Sequence, residues 1–128
     1  RQHRFQFPIL AHPHAAVDPS AVLEEGAQIM AGAVVQADCH VGANTIVNTH
    51  ASVDHDGVVG AHVHVAPGAV LCGNVRVDDN AFIGAGATVV QGVHVGSEAF
   101  VAAGSLLTRD LDAGRRWPAR EEPRAHQG

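Results

Sequence analysis

The sequence contains no tyrosine, one tryptophan and one methionine in 128 residues, and only 16% of it is charged. So few large rings, with Val, Ala and Gly in excess, suit a narrow repetitive interior better than a wide globular one. No run of about 18 apolar residues is present, and the opening RQHRFQFPIL lacks the apolar core of a signal peptide. A cytoplasmic protein is therefore expected. Basic clusters are also missing apart from Arg115-Arg116, and the formal charge is −5 with pI near 6.0. That balance argues against nucleic acid or an anionic membrane surface as a partner. Cysteine is scarce too. Cys39 and Cys72 stand 33 residues apart at different places in the repeat described below. They do not stack, and two unpaired thiols of small core or surface residues fit a reducing compartment.

What the sequence does contain is a lattice. From Val17 an aliphatic residue recurs at every sixth position through Leu23, Ile29, Val35, Val41, Val47, Val53, Val59, Val65, Leu71, Val77, Ile83, Val89, Val95, Val101 and Leu107. Four residues after each comes a small residue or valine, with Leu111 as the one exception. A period of six matches neither a 3.6-residue helix nor a simple amphipathic strand, and it is the signature of a β-helix. One large aliphatic group per short strand and one small group near each corner describe a thin prism. The hexads from residue 17 to residue 112 predict an all-β, single-stranded parallel β-helix of about five coils of eighteen residues. Such a solenoid is one domain. Gly42, Gly60, Gly84 and Gly96 directly follow inward aliphatics, and Asn, Asp and Gly populate the corners. Residues 1–16, with two prolines and three histidines, read as an extended lead-in. Residues 113–128 read as a charged tail, disordered or capping the last coil with Trp117.

Three repeats bring the chain back to the same corner, so residues eighteen apart lie one above the other. On this rule His55, the first residue of a His55-Asp56 pair, stacks under the bare backbone of Gly73. Ala85 and Ala103 share another corner in successive coils. Ile46, His64, Phe82 and Phe100 form an outward column, an apolar patch that a monomer would rarely expose. His40, Arg76 and His94 share a second outward column and read as plain surface residues, as does the less clear His62.

The segments FPILAHPHAAVDPSAVL, IMAGAVV, IVNTHASVDHD, VHVAPGAVLCGNV and AFIGAGATVV resemble the hexapeptide-repeat acyltransferases. More narrowly they resemble the sugar acetyltransferases related to sialic acid O-acetyltransferase and to the UDP-4-amino-sugar N-acetyltransferase. The hexads alone are specific for fold; the NT-to-HD segment followed by HVAPG is specific for this branch. The resemblance implies a left-handed coil and an acetyl-CoA-dependent enzyme acting on a hydroxyl or amine of a sugar. It also implies a homotrimer with active sites between subunits, and no metal. His55 would be the general base, Asp56 would orient and polarise it, His64 and the backbone at Ala85 and Ala103 would contact acetyl-CoA, and the Gly73 N–H would meet the thioester oxygen. Members of this branch usually carry a nucleotide-binding subdomain before FPILAHP, which helps to build the acceptor site.

The chemistry fits the residues. Acyl transfer needs a base for the nucleophile's proton and a donor for the developing oxyanion. A neutral imidazole, titrating near ~6.5, is a suitable base. Three prisms packed around an axis would bury the Ile46–Phe100 column and place His64 near a neighbour's His55. Two other readings stand beside this one. A γ-type carbonic anhydrase is also a trimeric left-handed β-helix, and its three zinc histidines, one of them from a neighbouring subunit, are matched in spacing by His14, His50 and His55. A non-catalytic trimeric scaffold would show the same outward column.

Overall fold

The computed structural model describes residues 7–119. They form a left-handed parallel β-helix with no α-helix, in which two-residue strands build three parallel sheets. Sheet A has seven strands, running from Leu10–Ala11 through Gln28–Ile29, Ile46–Val47, His64–Val65, Phe82–Ile83 and Phe100–Val101 to Arg116–Trp117. Sheet B has six, Ala16–Val17, Val34–Val35, Ser52–Val53, Val70–Leu71, Thr88–Val89 and Leu106–Leu107. Sheet C has five, Val22–Leu23, His40–Val41, Val58–Val59, Arg76–Val77 and His94–Val95. The registers step by eighteen residues, as between Ile46, His64, Phe82 and Phe100.

Each strand points its second residue inward, because side chains alternate across a strand. The lattice aliphatics from Ile29 to Leu107 are at most 1% exposed. The small residue of each hexad turns in at the corner, and Ala27, Ala33, Ala51, Ala69 and Ala87 have no exposed surface. Thr45 is the one buried polar residue among those described. Its hydroxyl donates to the Gly60 carbonyl at 2.6 Å and accepts the Val63 N–H at 3.1 Å, so burial leaves neither of its functions unmet.

The corners from Gly26 to Gly104 make the same backbone demand. Each sixth residue from Gly26 to Gly104 has positive φ, between 57° and 79°. Glycine, asparagine and aspartate meet that demand at little cost, and His50, His62 and Glu98 meet it as larger exceptions.

The ladder reaches beyond residues 17–112. Leu10–Ala11 already pairs with Gln28–Ile29 inside the expected lead-in, and Arg116–Trp117 pairs with Phe100–Val101 inside the expected tail. The coil count is accordingly about six rather than five. The exceptional Leu111 has a structural cause: the last coil is two residues shorter than the others, pairing Val95 with Leu111 and Val101 with Trp117. Leu111 thereby takes the inward place and is 8% exposed. Trp117 packs against the end of the core and donates its indole N–H to the Leu106 carbonyl at 2.9 Å. Residues 1–6 of the lead-in and 120–128 of the tail lie outside the described residues.

Candidate active site

Residues 54–57 make the corner between sheets B and C. Asp56 takes its positive φ of 59° there, a conformation that a short carboxylate side chain tolerates. One carboxylate oxygen of Asp56 accepts a hydrogen bond from His55 Nδ1 at 3.0 Å. A carboxylate only accepts, so Nδ1 carries the proton and Nε2 keeps its lone pair. Asp54 fixes the backbone of the same turn, its Oδ1 accepting the His55 N–H at 2.8 Å. From the preceding coil, the buried Cys39 thiol donates to the Asp54 carbonyl at 2.8 Å. Burial pushes that thiol's pKa up, which keeps it in the donating form.

The free nitrogen of His55 faces Gly73. A Cβ built at Gly73 would lie 2.5 Å from His55 Nε2 and 2.7 Å from Cε1. The backbone at Gly73 has ordinary φ, so glycine is needed there for the imidazole above it and not for the turn. The Gly73 N–H donates to no acceptor among the described residues, whereas its neighbour Asn74 donates to the His55 carbonyl at 2.9 Å. A base nitrogen and an unused N–H thus share one corner, one coil apart. His55 and Asp56 have side chains 50% and 52% exposed, on an open corner. The hydrogen bond to Asp56 raises the His55 pKa, partial burial opposes it, and the charges of Asp54 and Asp56 add to the rise.

The remaining predicted residues lie elsewhere on the prism. His64 stands on sheet A, its Nε2 accepting from Asn48 Nδ2 at 3.2 Å and its ring edge-on to Phe82 at 5.3 Å. Phe82 stacks on Phe100 at 5.1 Å, and the Arg116 guanidinium lies over Phe100 at 4.7 Å. Because each ring covers the next, Ile46, His64, Phe82 and Phe100 are all half-buried within one chain, and the apolar patch is smaller than the sequence implies. Ala85 and Ala103 are exposed on the corner between sheets A and B, linked by the Gly104 N–H to the Ala85 carbonyl at 2.8 Å. Their own N–H groups are unused among the described residues, and a Cβ at Gly86 or Gly104 would meet nothing within 4 Å. This corner is a smooth open floor with free donors.

Asn48, Asp54, Cys39 and Arg116 were not foreseen as site residues. Asn48 and Asp54 were within reach of sequence reasoning, since both lie in the NT-to-HD segment; Cys39 and Arg116 act through contacts between coils that no local pattern displays. Within one chain the histidines of the alternative metal set do not converge. The His14 N–H donates to His12 Nδ1 at 3.0 Å, the His50 ring lies over Gly32, and His55 turns to Gly73. Among the described residues no three His, Cys, Asp or Glu side chains of one chain converge as metal ligands. His40 pairs with Glu24, and His94 with Asp78 at 2.7 Å, which fits their reading as surface residues.

Comparison with known proteins agrees with the fold. No curated protein matches the chain. Among solved structures, the acetyltransferase domain of PglB from Neisseria gonorrhoeae FA1090, in complex with acetyl coenzyme A, is 44% identical with a TM-score of 0.86, covering 88% of this chain and 55% of that one. PerB from Caulobacter crescentus, in complex with CoA and GDP-perosamine, is 40% identical with a TM-score of 0.86, covering 93% of this chain and 59% of that one. WeeI from Acinetobacter baumannii AYE is 28% identical with a TM-score of 0.80, covering 84% and 55%. The chain therefore spans little more than half the length of these solved relatives. A repeat described as the hexapeptide repeat of succinyl-transferase matches residues 74–109, and the six-repeat bacterial transferase hexapeptide matches residues 20–55 and 56–91. With the lattice, the coil and these matches in agreement, the chain belongs to the bacterial transferase hexapeptide family.

Proposed function

We propose that the protein transfers an acetyl group from acetyl-CoA to an amine of a nucleotide-linked sugar, with His55 as general base. The observation that carries this reading is the placement of His55 Nε2 over the bare Gly73, with Nδ1 held by Asp56. The solved relatives support the choice of substrates, since one is bound to acetyl coenzyme A and another, named an N-acetyltransferase, to CoA and GDP-perosamine. The bare corner at Gly73 and the open floor at Ala85 and Ala103, with their unused N–H groups, suit a thioester and its extended arm. In the reaction, His55 Nε2 takes the proton from the attacking amine as the N–C bond forms. The Gly73 N–H stabilises the negative charge on the carbonyl oxygen, and Asp56 stabilises the imidazolium. The C–S bond then breaks, and the thiolate leaves with a proton that the imidazolium can return. Cys39 and Cys72 are both free, in keeping with a reducing, cytoplasmic setting.

The raised His55 pKa gives this base a characteristic pH profile. Only the neutral imidazole can accept a proton, so a higher pKa means that activity is lost at a higher pH on the acid side. The acidic limb of kcat is expected above the ordinary histidine range. Asp56→Asn removes the carboxylate that raises the pKa and should shift that limb to lower pH, with a smaller fall in rate than loss of the imidazole itself. An unmoved limb in Asp56→Asn would show that His55 is not the titrating base.

The two halves of the site flank sheet B. His55 and Gly73 lie on the corner that follows it, Ala85 and Ala103 on the corner that precedes it. Three prisms with sheet B turned to a common axis would bring the His55 corner of one copy to the Ala85 corner of the next. The outward row of sheet B, Ala16, Val34, Ser52, Val70, Thr88 and Leu106, carries no charge, and Leu106 is 55% exposed. This row favours sheet B as the partner surface over the self-covering column on sheet A. Sedimentation should therefore report a trimer, Val70→Glu should leave monomers because a buried unpaired charge is costly, and Phe82→Glu should remain trimeric. A monomeric parent protein would contradict the arrangement.

A further inference from the structure

On the corner between sheets A and B one column repeats every eighteen residues, as His14, Gly32, His50, Gly68, Gly86 and Gly104. From residue 32 to residue 104 every member has positive φ, and all but one are glycine. His50 alone keeps a side chain there, at φ 58°. Histidine tolerates this region better than most residues, yet glycine adopts it more readily. The His50 ring turns towards the N-terminal end and lies on Gly32, where a Cβ would collide with Nδ1. It therefore closes the floor that runs through Gly68, Gly86 and Gly104. The rings of His12, His40, His55, His64 and His94 each have a hydrogen-bond partner. The exposed His50 ring has none among the described residues. A neutral imidazole offers one donor and one acceptor, so this ring can hold a group that is both, such as a hydroxyl.

We propose that His50 of the partner subunit is a specificity-determining residue of the acetyl-transfer site, where it hydrogen-bonds a ring hydroxyl of the acceptor sugar. The inference rests on the acetyltransferase reading and trimer above. With sheet B turned to a common axis, the His55 corner of one copy meets the corner of the next that carries His50. Both belong to one coil and differ in height by a third of it, roughly 1.6 Å at the ~4.8 Å spacing of paired strands. Their rings diverge from that level. His55 turns towards Gly73, on the side of the floor that suits the thioester arm, and His50 turns the opposite way, towards Gly32. The acceptor must approach from the side that the donor leaves open. There the small Ala37 lies one coil below His55, the Asp56 N–H donating to its carbonyl at 2.9 Å, and leaves room for a sugar ring. Asp38 beside it disfavours a phosphate and suits a ring of hydroxyls with an amine. An amine presented to His55 Nε2 thus leaves the other edge of its sugar facing His50 of the partner subunit.

Kinetics with a UDP-linked 4-amino sugar as acceptor test the role. His50→Gly repeats the glycines of its own column, so the melting temperature should hold. Its kcat/KM for the sugar should fall roughly ten-fold, the scale of one hydrogen bond, while KM for acetyl-CoA stays the same. His50→Asn accepts the same φ and keeps a donor and an acceptor, so it should recover part of the loss. An unchanged kcat/KM in His50→Gly overturns the assignment. Mixed trimers, from equal coexpression of His50→Gly and His55→Ala chains, test the partner's share. If the two histidines come from different copies, about a quarter of the interfaces keep both, and at low sugar concentration about a quarter of the wild-type activity should remain. About a twentieth would place both in one chain and overturn the proposal. A short bismaleimide applied to His50→Cys/His55→Cys in a Cys72→Ser background needs no acceptor. Covalent trimers are expected, and their absence overturns the juxtaposition while leaving the acetyltransferase reading standing. Covalent trimers of a protein that binds no acetyl-CoA overturn that reading and the role of His50 with it.

Discussion

Replacing His55 with alanine is expected to lower turnover by ~10²–10⁴, the usual contribution of a positioned general base. The fold and acetyl-CoA binding should survive, since the His55 side chain is 50% exposed on a corner and fills no core volume. The measurement is kcat against KM for acetyl-CoA, made with an acceptor that the wild-type protein turns over. A fall in kcat with KM unchanged identifies a group that acts in the transition state. Near-native turnover would remove His55 from the mechanism.

Gly73→Ala is expected to be almost as damaging, and for a reason that involves His55. The added methyl group would lie 2.5 Å from Nε2, so the imidazole must swing away from the position where it meets the acceptor. The backbone of Gly73 has ordinary φ, so alanine fits the turn itself and the melting temperature should change little. Activity should fall by at least ~10²-fold, because misplacing a catalytic group by about 1 Å costs that much. The two substitutions should not be additive. In a His55→Ala background the ring is gone, and Gly73→Ala should then cost little more. Additive losses in the double variant would mean that Gly73 acts independently of the imidazole.

Much of this arrangement is legible in the sequence because a coil of fixed period converts sequence distance into spatial neighbourhood. The inward aliphatics from Ile29 to Leu107 fall where the six-residue lattice puts them. The eighteen-residue interval between His55 and Gly73 becomes a contact between one ring and one Cα. The same arithmetic put Phe82 under Phe100, yet it gave no measure of exposure. At the spacing of paired strands stacked rings cover one another, which is why the column is half-buried without a partner. The lattice also failed at both ends. Leu10–Ala11 pairs through its backbone and has only alanine at the inward place, so no large aliphatic announces it. At the other end a two-residue contraction moved Leu111 into the core and Trp117 over it, and a strict period cannot register a change of period. The contact of Cys39 beneath His55 was hidden for a different reason: it joins neighbouring turns through the Asp54 backbone carbonyl, which carries no residue code.

The most direct test of the account is a calorimetric titration of acetyl-CoA into the purified protein, with and without added zinc. The account predicts one acetyl-CoA bound per chain, zinc-independent affinity, and the same affinity in His55→Ala. No heat from acetyl-CoA, with zinc bound instead and lost in His55→Ala, would contradict it and return His14, His50 and His55 to the role of metal ligands.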